Sequence, residues 1–393
     1  MTDGGEEIPG RRRDAEAPLG GQMIEPYTEA TLDPEALPVD DFSAHEATEF
    51  EGRSPWYLAY RRLRNNWVAL GFLGLFIAIV IFVLAAPLWA NHVAHTGPNT
   101  THTTQVLSIN GEKKDVVSID GLPIGPVYFD AGGKFFLGAD GTLGRDEMVR
   151  LMYGGRTSLI IGIVSALITT FLAVVFGLLA GYFGGKIDAV IGAVMDIIWA
   201  FPVLLLGIAL GTALAAGNGL NLGPIQIPSS SIWIPILIIG LVSTPYMLRP
   251  LRGEILSLRE KEFVEASVAQ GAGPMRIMFG ELLPNLWSTI IVFFTLAIAN
   301  NMLFEAALSF LGAGVQPPNS SWGSMAANGF SLIQSVPRLI TLPGLMILLT
   351  VLALNVFGDG LRDALDPKSK IHLRKKKSAP AAAPAPAPAP EEA

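Results

Sequence analysis

Few side chains in this 393-residue chain are placed to do chemistry. His92, His95 and His102 lie close together and could offer imidazoles to a metal. No carboxylate stands at ligand spacing beside them, so a solvated loop is the better reading. There is no cysteine, which removes disulfides, thiolate nucleophiles and thiolate-bound metals. Two Gly-Lys pairs, Gly133-Lys134 and Gly185-Lys186, are followed by Phe135 and Ile187, not by Ser or Thr. Neither has the upstream glycine of a phosphate-cradling loop, so the chain has no ATPase site of its own. It also lacks the Gly-x-Ser-x-Gly elbow and the His-Glu-x-x-His pair of common hydrolases. The reading is therefore of no catalytic residue, no cofactor site and no metal site. Two acids remain, Asp196 and Glu305, set within otherwise apolar stretches. Charge in a bilayer is costly and normally faces protein or water. These two either line a polar path or hydrogen-bond between helices.

The elements that must position them are membrane helices. Half of the residues are hydrophobic and 16% are charged, against about 25% charged in an ordinary soluble domain. Residues 1–53 hold 14 acids and 4 bases, so the net −7 of the chain is a tail at −10 and a remainder near +3. A bilayer core of about 30 Å takes roughly 20 apolar residues in a helix. Six stretches qualify: 67–90, 158–180, 189–214, 232–248, 286–311 and 339–357. Pro202, Pro235 and Pro245 predict kinks in the third and fourth. Gly177, Gly181 and Gly185 recur every four residues, a spacing that lets helix backbones approach. Basic residues cluster at 61–64 before the first stretch, between the fourth and fifth, and at 368–377 after the last. Loops 215–231 and 312–337 have none. That asymmetry predicts six spans with both termini cytoplasmic. Residues 1–55 and 371–393, the latter basic and then alanine–proline rich, are expected to be disordered. Loop 91–150 is expected outside, with a small β element in which Val106–Ile109 and Val116–Ile119 flank Asn110-Gly111. Arg11–Arg13 lack the apolar run of an export signal and read as a charged patch.

The densest information lies in the cytoplasmic loop 250–285, which reads as two short helices broken at Gly271-Ala272-Gly273-Pro274. Phe263, Ala266 and Ala269 share one side of the first. Glu265-Ala266-Ser267, then Gly271, then Leu283-Pro284 resembles the EAA loop of bacterial ABC importer permeases. Ser267 replaces the second alanine of that pattern, and Glu281 stands where it has isoleucine. Four further segments are similar to the dipeptide and oligopeptide class. They are Gly144-Arg145-Asp146 with Arg150 and Tyr153-Gly154; Ala180 to Gly185 with Asp188; Leu308 to Gly312 with Gly314 to Pro318 and Trp322-Gly323; and Asn355 with Gly358 to Pro367.

The resemblance spans most of residues 56–370 and carries specific implications. The fold would be all-α, with six transmembrane helices of the ABC importer permease type, built as a surface segment and first span (56–90) and a five-span core (151–370). Glu265, Ala266, Ser267, Gly271, Leu283 and Pro284 would form the segment that docks on an ATPase. Partners would be a homologous second permease, two cytoplasmic ATPase subunits that bind ATP and Mg, an external substrate-binding protein and the lipid bilayer, with no nucleic acid. The site of action would be the bacterial cytoplasmic membrane. The solute would be a di- or oligopeptide, with nickel, glutathione or another small solute as the alternative. An ATP-independent carrier or a membrane scaffold are the rival classes.

Overall fold

The computed structural model describes residues 55–109 and 111–366. Both expected tails, including the basic cluster 368–377, lie outside the described residues.

Helix α1 (Pro55–Asn65) runs into α2 (Trp67–Leu84). Asn66 caps the second helix, its Oδ1 accepting from the Ala69 amide at 3.1 Å. A short α3 (Ala86–His92) follows with Pro87 in its first turn. Strands β1 (Val106–Ile109) and β2 (Glu112–Asp115) pair antiparallel, Ile109 opposite Glu112. The second strand therefore starts four residues earlier than Val116–Ile119. The reason is geometric: a two-residue turn puts residue 112 opposite 109, however polar residues 112–115 are. Val116 still joins the ladder through its amide to the Gln105 carbonyl, at 2.9 Å. Strands β3 (Ala139–Asp140) and β4 (Arg145–Asp146) make a second small pair. Leu107, Ile109, Val116, Val127, Phe135 and Ala139 give this element its own core. His102 joins that core edge-on to Phe135, and its burial and the nearby Lys134 push its pKa down. His102 bonds Thr96 at 3.0 Å and His92 faces the Leu88 carbonyl. Among the described residues no cluster of metal-ligating groups forms.

Helix α4 (Glu147–Phe183) is 37 residues long. At 1.5 Å per residue it runs ~55 Å, well beyond a ~30 Å hydrocarbon core. It begins ahead of the apolar run because Asp146 caps it, accepting from the Val149 amide at 3.0 Å and the Phe135 amide at 2.6 Å. Burial pushes that carboxyl above the usual carboxylate range. Arg145 and Arg150 both pair with Asp140, at 2.6 and 2.9 Å. These bonds explain the Gly144-Arg145-Asp146 and Arg150 motif: it locks the β element onto the head of α4.

Then come α5 (Gly185–Ala200), α6 (Val203–Ala216), the hairpin β5 (Gly219–Leu222) and β6 (Ile225–Pro228), α7 (Trp233–Val242) and α8 (Thr244–Arg259). They are followed by α9 (Glu262–Ala269), α10 (Pro274–Arg276), a π-helical turn (Ile277–Leu282), α11 (Leu283–Phe310), α12 (Trp322–Phe330) and α13 (Arg338–Leu365). Among the described residues, five segments are long and apolar enough to span alone: 67–84, 147–183, 233–259, 274–310 and 338–365. The third expected span is not one helix. Helices α5 and α6 meet at 84°. Phe201 is extended (φ −91, ψ 141), as the residue before a proline prefers, and Pro202 has no amide to continue the ladder. The expected kink is a full break.

The bent pair still crosses from one end of the bundle to the other. Its start, Gly184, adjoins Arg259, which donates to the Tyr182 carbonyl at 2.9 Å. Beyond its far end, Ser230 accepts from Asn319 Nδ2 at 2.8 Å. Asn319 shares a cleft with Asn99 and Arg145 at the β-element end. Arg62 of α1 donates to the Asp366 carbonyl at 2.7 Å, so the first and last helices end on the same side. An even count of six crossings results.

Helix α4 is the hub, packed on α7, α8 and α11. Gly177 and Gly181 face Leu251 and Ile255 of α8, and a Cβ on Gly181 would lie 2.5 Å from Ile255 Cγ2. Gly185 does something else. It opens α5 with φ 53, a left-handed turn residue outside the α4 stripe.

Candidate functional site

The segment after α8 is shorter as a loop than 250–285. Residues 250–259 complete α8, and residues from Pro274 onward belong to the helix of the fifth span. What projects is α9 and its two turns. Glu262 and Glu265 lie in its first turn, where acids favour the positive end of a helix. Gly271 ends it with φ 80, and its amide bonds the Val268 carbonyl at 2.9 Å. No Cβ clash arises there, so glycine is required by backbone conformation alone.

One face of α9 is held. Val264 is buried against the cluster of Ile277, Met278 and Leu282. Ser267 Oγ donates to Glu281 Oε1 at 3.1 Å. The two positions that depart from the family pattern thus face each other. The rest of its surface is free: Glu265 and Ala266 are exposed, as are Phe263 and Val268, with exposed Met275 and Phe279 just beyond the helix. Pro284 explains the π-helical turn before it. A proline cannot donate to the carbonyl four residues back and crowds it, and a widened turn relieves both problems. Accordingly the Leu283 amide reaches Met278, five residues back. Leu283 packs on the same core cluster.

Helices α8 and α11, which flank α9, also wall a cavity of about 610 Å³ within the bundle. Ser243 and Tyr246 contribute from the α8 side, Asn300, Asn301 and Phe304 from α11, Trp199 from α5 and Asn355 from α13. The lining mixes aromatic rings with neutral amides and hydroxyls and includes no acid, lysine, arginine or histidine. Such groups can hydrogen-bond a solute's amides without selecting its charge. Asn301 is itself tied back, donating to Ser165 Oγ at 3.1 Å. Asn300 and Asn355 were not singled out as path residues from the sequence. Their signal was available: amides in apolar helices are few and face protein or cavity.

Neither intramembrane acid lines this cavity. Glu305 is buried and accepts from Ser158 Oγ (2.9 Å) and Ser309 Oγ (2.7 Å). Ser158 in turn accepts from the Trp322 amide at 3.1 Å, so Glu305 is the centre of a network joining α4, α11 and α12. Asp196 is 70% exposed and pairs with Arg249 at 2.6 Å. Arg249 lies over the Trp199 ring, 3.9 Å from its centroid, and Trp199 borders the cavity. Asp196 therefore acts on the cavity only through Arg249 and that ring. A second pair, bidentate between Arg252 and Asp188, ties α8 to the start of α5.

Residues 173–371, more than half of the chain, match the model of the binding-protein-dependent transport system inner membrane component. The chain belongs to that family. Residues 54–107 match the N-terminal transmembrane domain of oligopeptide transport permease C. The dipeptide transport system permease protein of Alkalihalophilus pseudofirmus is 34% identical over 340 residues, 86% of this chain and 96% of that one. The di/tripeptide permease protein of Pseudomonas aeruginosa is 39% identical over 62% of this chain and 76% of its own. The glutathione transport system permease protein of Pectobacterium atrosepticum is 34% identical over 81% and 93%. The chain is thus a multi-pass permease subunit of the ABC peptide-transporter class, as its motifs led one to expect.

Proposed function

We propose that this permease moves di- or oligopeptides through the cytoplasmic membrane by alternating access, driven by ATP hydrolysis in partner subunits. It would pair with a homologous permease, dock two cytoplasmic ATPases that bind ATP and Mg, and receive solute from an external binding protein. Both termini would be cytoplasmic. One observation carries the reading: α9 projects from the two helices, α8 and α11, that also wall the cavity. A push on α9 therefore has a rigid route to the cavity lining. The neutral, amide-rich lining suits a solute recognised by its main chain, and relatives carry peptide-transport names. Glutathione, itself a tripeptide, is the second reading, favoured by the 34% identical glutathione permease.

The test is uptake of labelled di- to pentapeptides and of glutathione in the source cells with this gene deleted and restored. Peptide uptake lost on deletion and restored by the gene, but not by Glu265→Ala or Gly271→Ala, supports both solute and coupling. Loss of glutathione uptake alone would replace the solute. Full uptake with both variants would sink the coupling role.

A further inference from the structure

Residues 127–136 close the β element through a tight turn. Tyr128 (φ 54) and Phe135 (φ 56) both occupy the left-handed region, which side chains avoid. Phe135 is buried in the core of the element, so packing offsets its strain. Tyr128 gains no such burial. The residue is 57% exposed, and Phe129 beside it 67% exposed. Both rings pack edge-on to Phe136, at 5.4 and 5.2 Å, and Phe136 packs edge-on to Trp89 at 5.5 Å. Four aromatic rings meet at the end of the first span.

The position of Trp89 fixes what the exposed pair faces. Trp67 and Trp89 are 22 residues apart. That is ~33 Å of helix, close to the ~30 Å hydrocarbon core. Helical hydrogen bonds flank the break at Ala85, from Ala85 to Ile81 at 2.9 Å and from Trp89 to Ala85 at 3.0 Å. That spacing matches the separation of the two membrane interfaces, where such rings concentrate. Between them, exposed Ile77, Ile81, Leu84 and Leu88 form one stripe at helical spacing, a lipid-facing surface that ends beside Trp89. The loop is pinned at the same place, with Gly133 packed directly against Val93.

We propose that Tyr128 and Phe129 seat in the headgroup layer of the adjacent leaflet, anchoring the β element to lipid beside the first span. The Tyr hydroxyl stays in water while both rings meet the acyl boundary. An unbroken chain of ring contacts leads from them through Phe136 to Trp89, the residue after Leu88 of the stripe. This proposal is independent of which solute is moved.

The absence of native cysteine makes the test direct. Tyr128→Cys, Phe129→Cys, Leu88→Cys and Lys113→Cys are each labelled with an environment-sensitive fluorophore in the full chain, in lipid nanodiscs. Lys113, on exposed β2, is the aqueous reference and Leu88 the lipid reference. Labels at 128 and 129 should emit to the blue of that at 113. Lipids bearing a nitroxide high on the acyl chain should quench them several-fold more strongly, and aqueous iodide several-fold less. Iodide quenching equal to that at 113, with no quenching from lipid, would overturn the anchor. So would labels shielded only on adding the external binding protein, which would make the lip a protein contact.

Discussion

Ser267 and Glu281 matter because α9 has few other attachments. Val264 supplies its buried apolar contact, and the Ser267–Glu281 hydrogen bond fixes its rotation about that contact. Removing the bond by Ser267→Ala should cost about 0.5–1.5 kcal/mol, too little to unfold the protein. Measured as solute moved per ATP in the reconstituted complex, coupling should fall in Ser267→Ala and in Glu281→Gln, and the double variant should be no worse than either. Additive losses would show that the two act separately. Gly271→Ala forces an alanine to φ 80, at about 1–2 kcal/mol, and should distort the end of α9 without lowering the thermal midpoint greatly. Glu305 belongs to a different class. Glu305→Leu strands two buried hydroxyls, each at about 1–3 kcal/mol. It should lower the thermal midpoint in detergent, whereas Glu305→Gln, which can still accept, should lower it less. A Glu305→Leu protein as stable as wild type but dead in transport would instead support a path role. In the sequence, Glu265 and Gly271 stand out through their resemblance to the EAA loop. Ser267 and Glu281 show there only as two unrelated departures, because a contact across 14 positions has no periodic signature.

At the scale of elements, most of what the sequence made legible came from periodicity and composition. Five of the six apolar stretches coincide with long helical segments, three of which extend 11 or 12 residues past an expected bound. What failed were features set by turn geometry and tertiary partners. The second strand of the hairpin is the charged Glu112–Asp115, placed by the turn and not by its own propensity. The α5–α6 break is set by how Phe201 and Pro202 satisfy the chain locally, which apolar content cannot register. The glycine stripe was two-thirds legible: Gly177 and Gly181 admit α8, while Gly185 is a turn residue. This separates their mutants. Gly181→Leu should force α4 and α8 apart and destabilise by about 1–3 kcal/mol or more, read as a lower thermal midpoint. It should also disturb coupling, since α8 leads directly into α9. Gly177→Ala, whose Cβ would meet Ile255 at an ordinary 3.4 Å, should be nearly neutral. Equal effects at the two positions would mean that the close approach is not what holds the pair.

At the scale of the whole molecule, the question is whether the broken third span crosses the bilayer or turns back. Hydropathy allows five or six spans. The contacts decide for six, because the break leaves Gly184 near Arg259 and carries Ser230 to Asn319 at the opposite end. A re-entrant pair would instead return residues 217–230 to the Arg259 side. It would also leave an odd number of crossings, in conflict with the Arg62 to Asp366 bond that holds the first and last helices to one side. The cysteine-free chain again permits a clean measurement. Single cysteines at Asn218, Lys261 and Lys113 should be labelled in intact cells by a membrane-impermeant maleimide in a fixed pattern. Positions 218 and 113 should react from outside, and 261 only after permeabilisation. Reaction of 218 together with 261 would demote α5–α6 to a re-entrant loop. It would also remove the rigid path by which Asp188 and Asp196 of α5, held by Arg252 and Arg249 of α8, connect α9 to the Trp199 wall of the cavity. A third span that crosses keeps that path intact, because α5 then stands beside α8 along the half of the membrane nearest α9, where any push from α9 must pass.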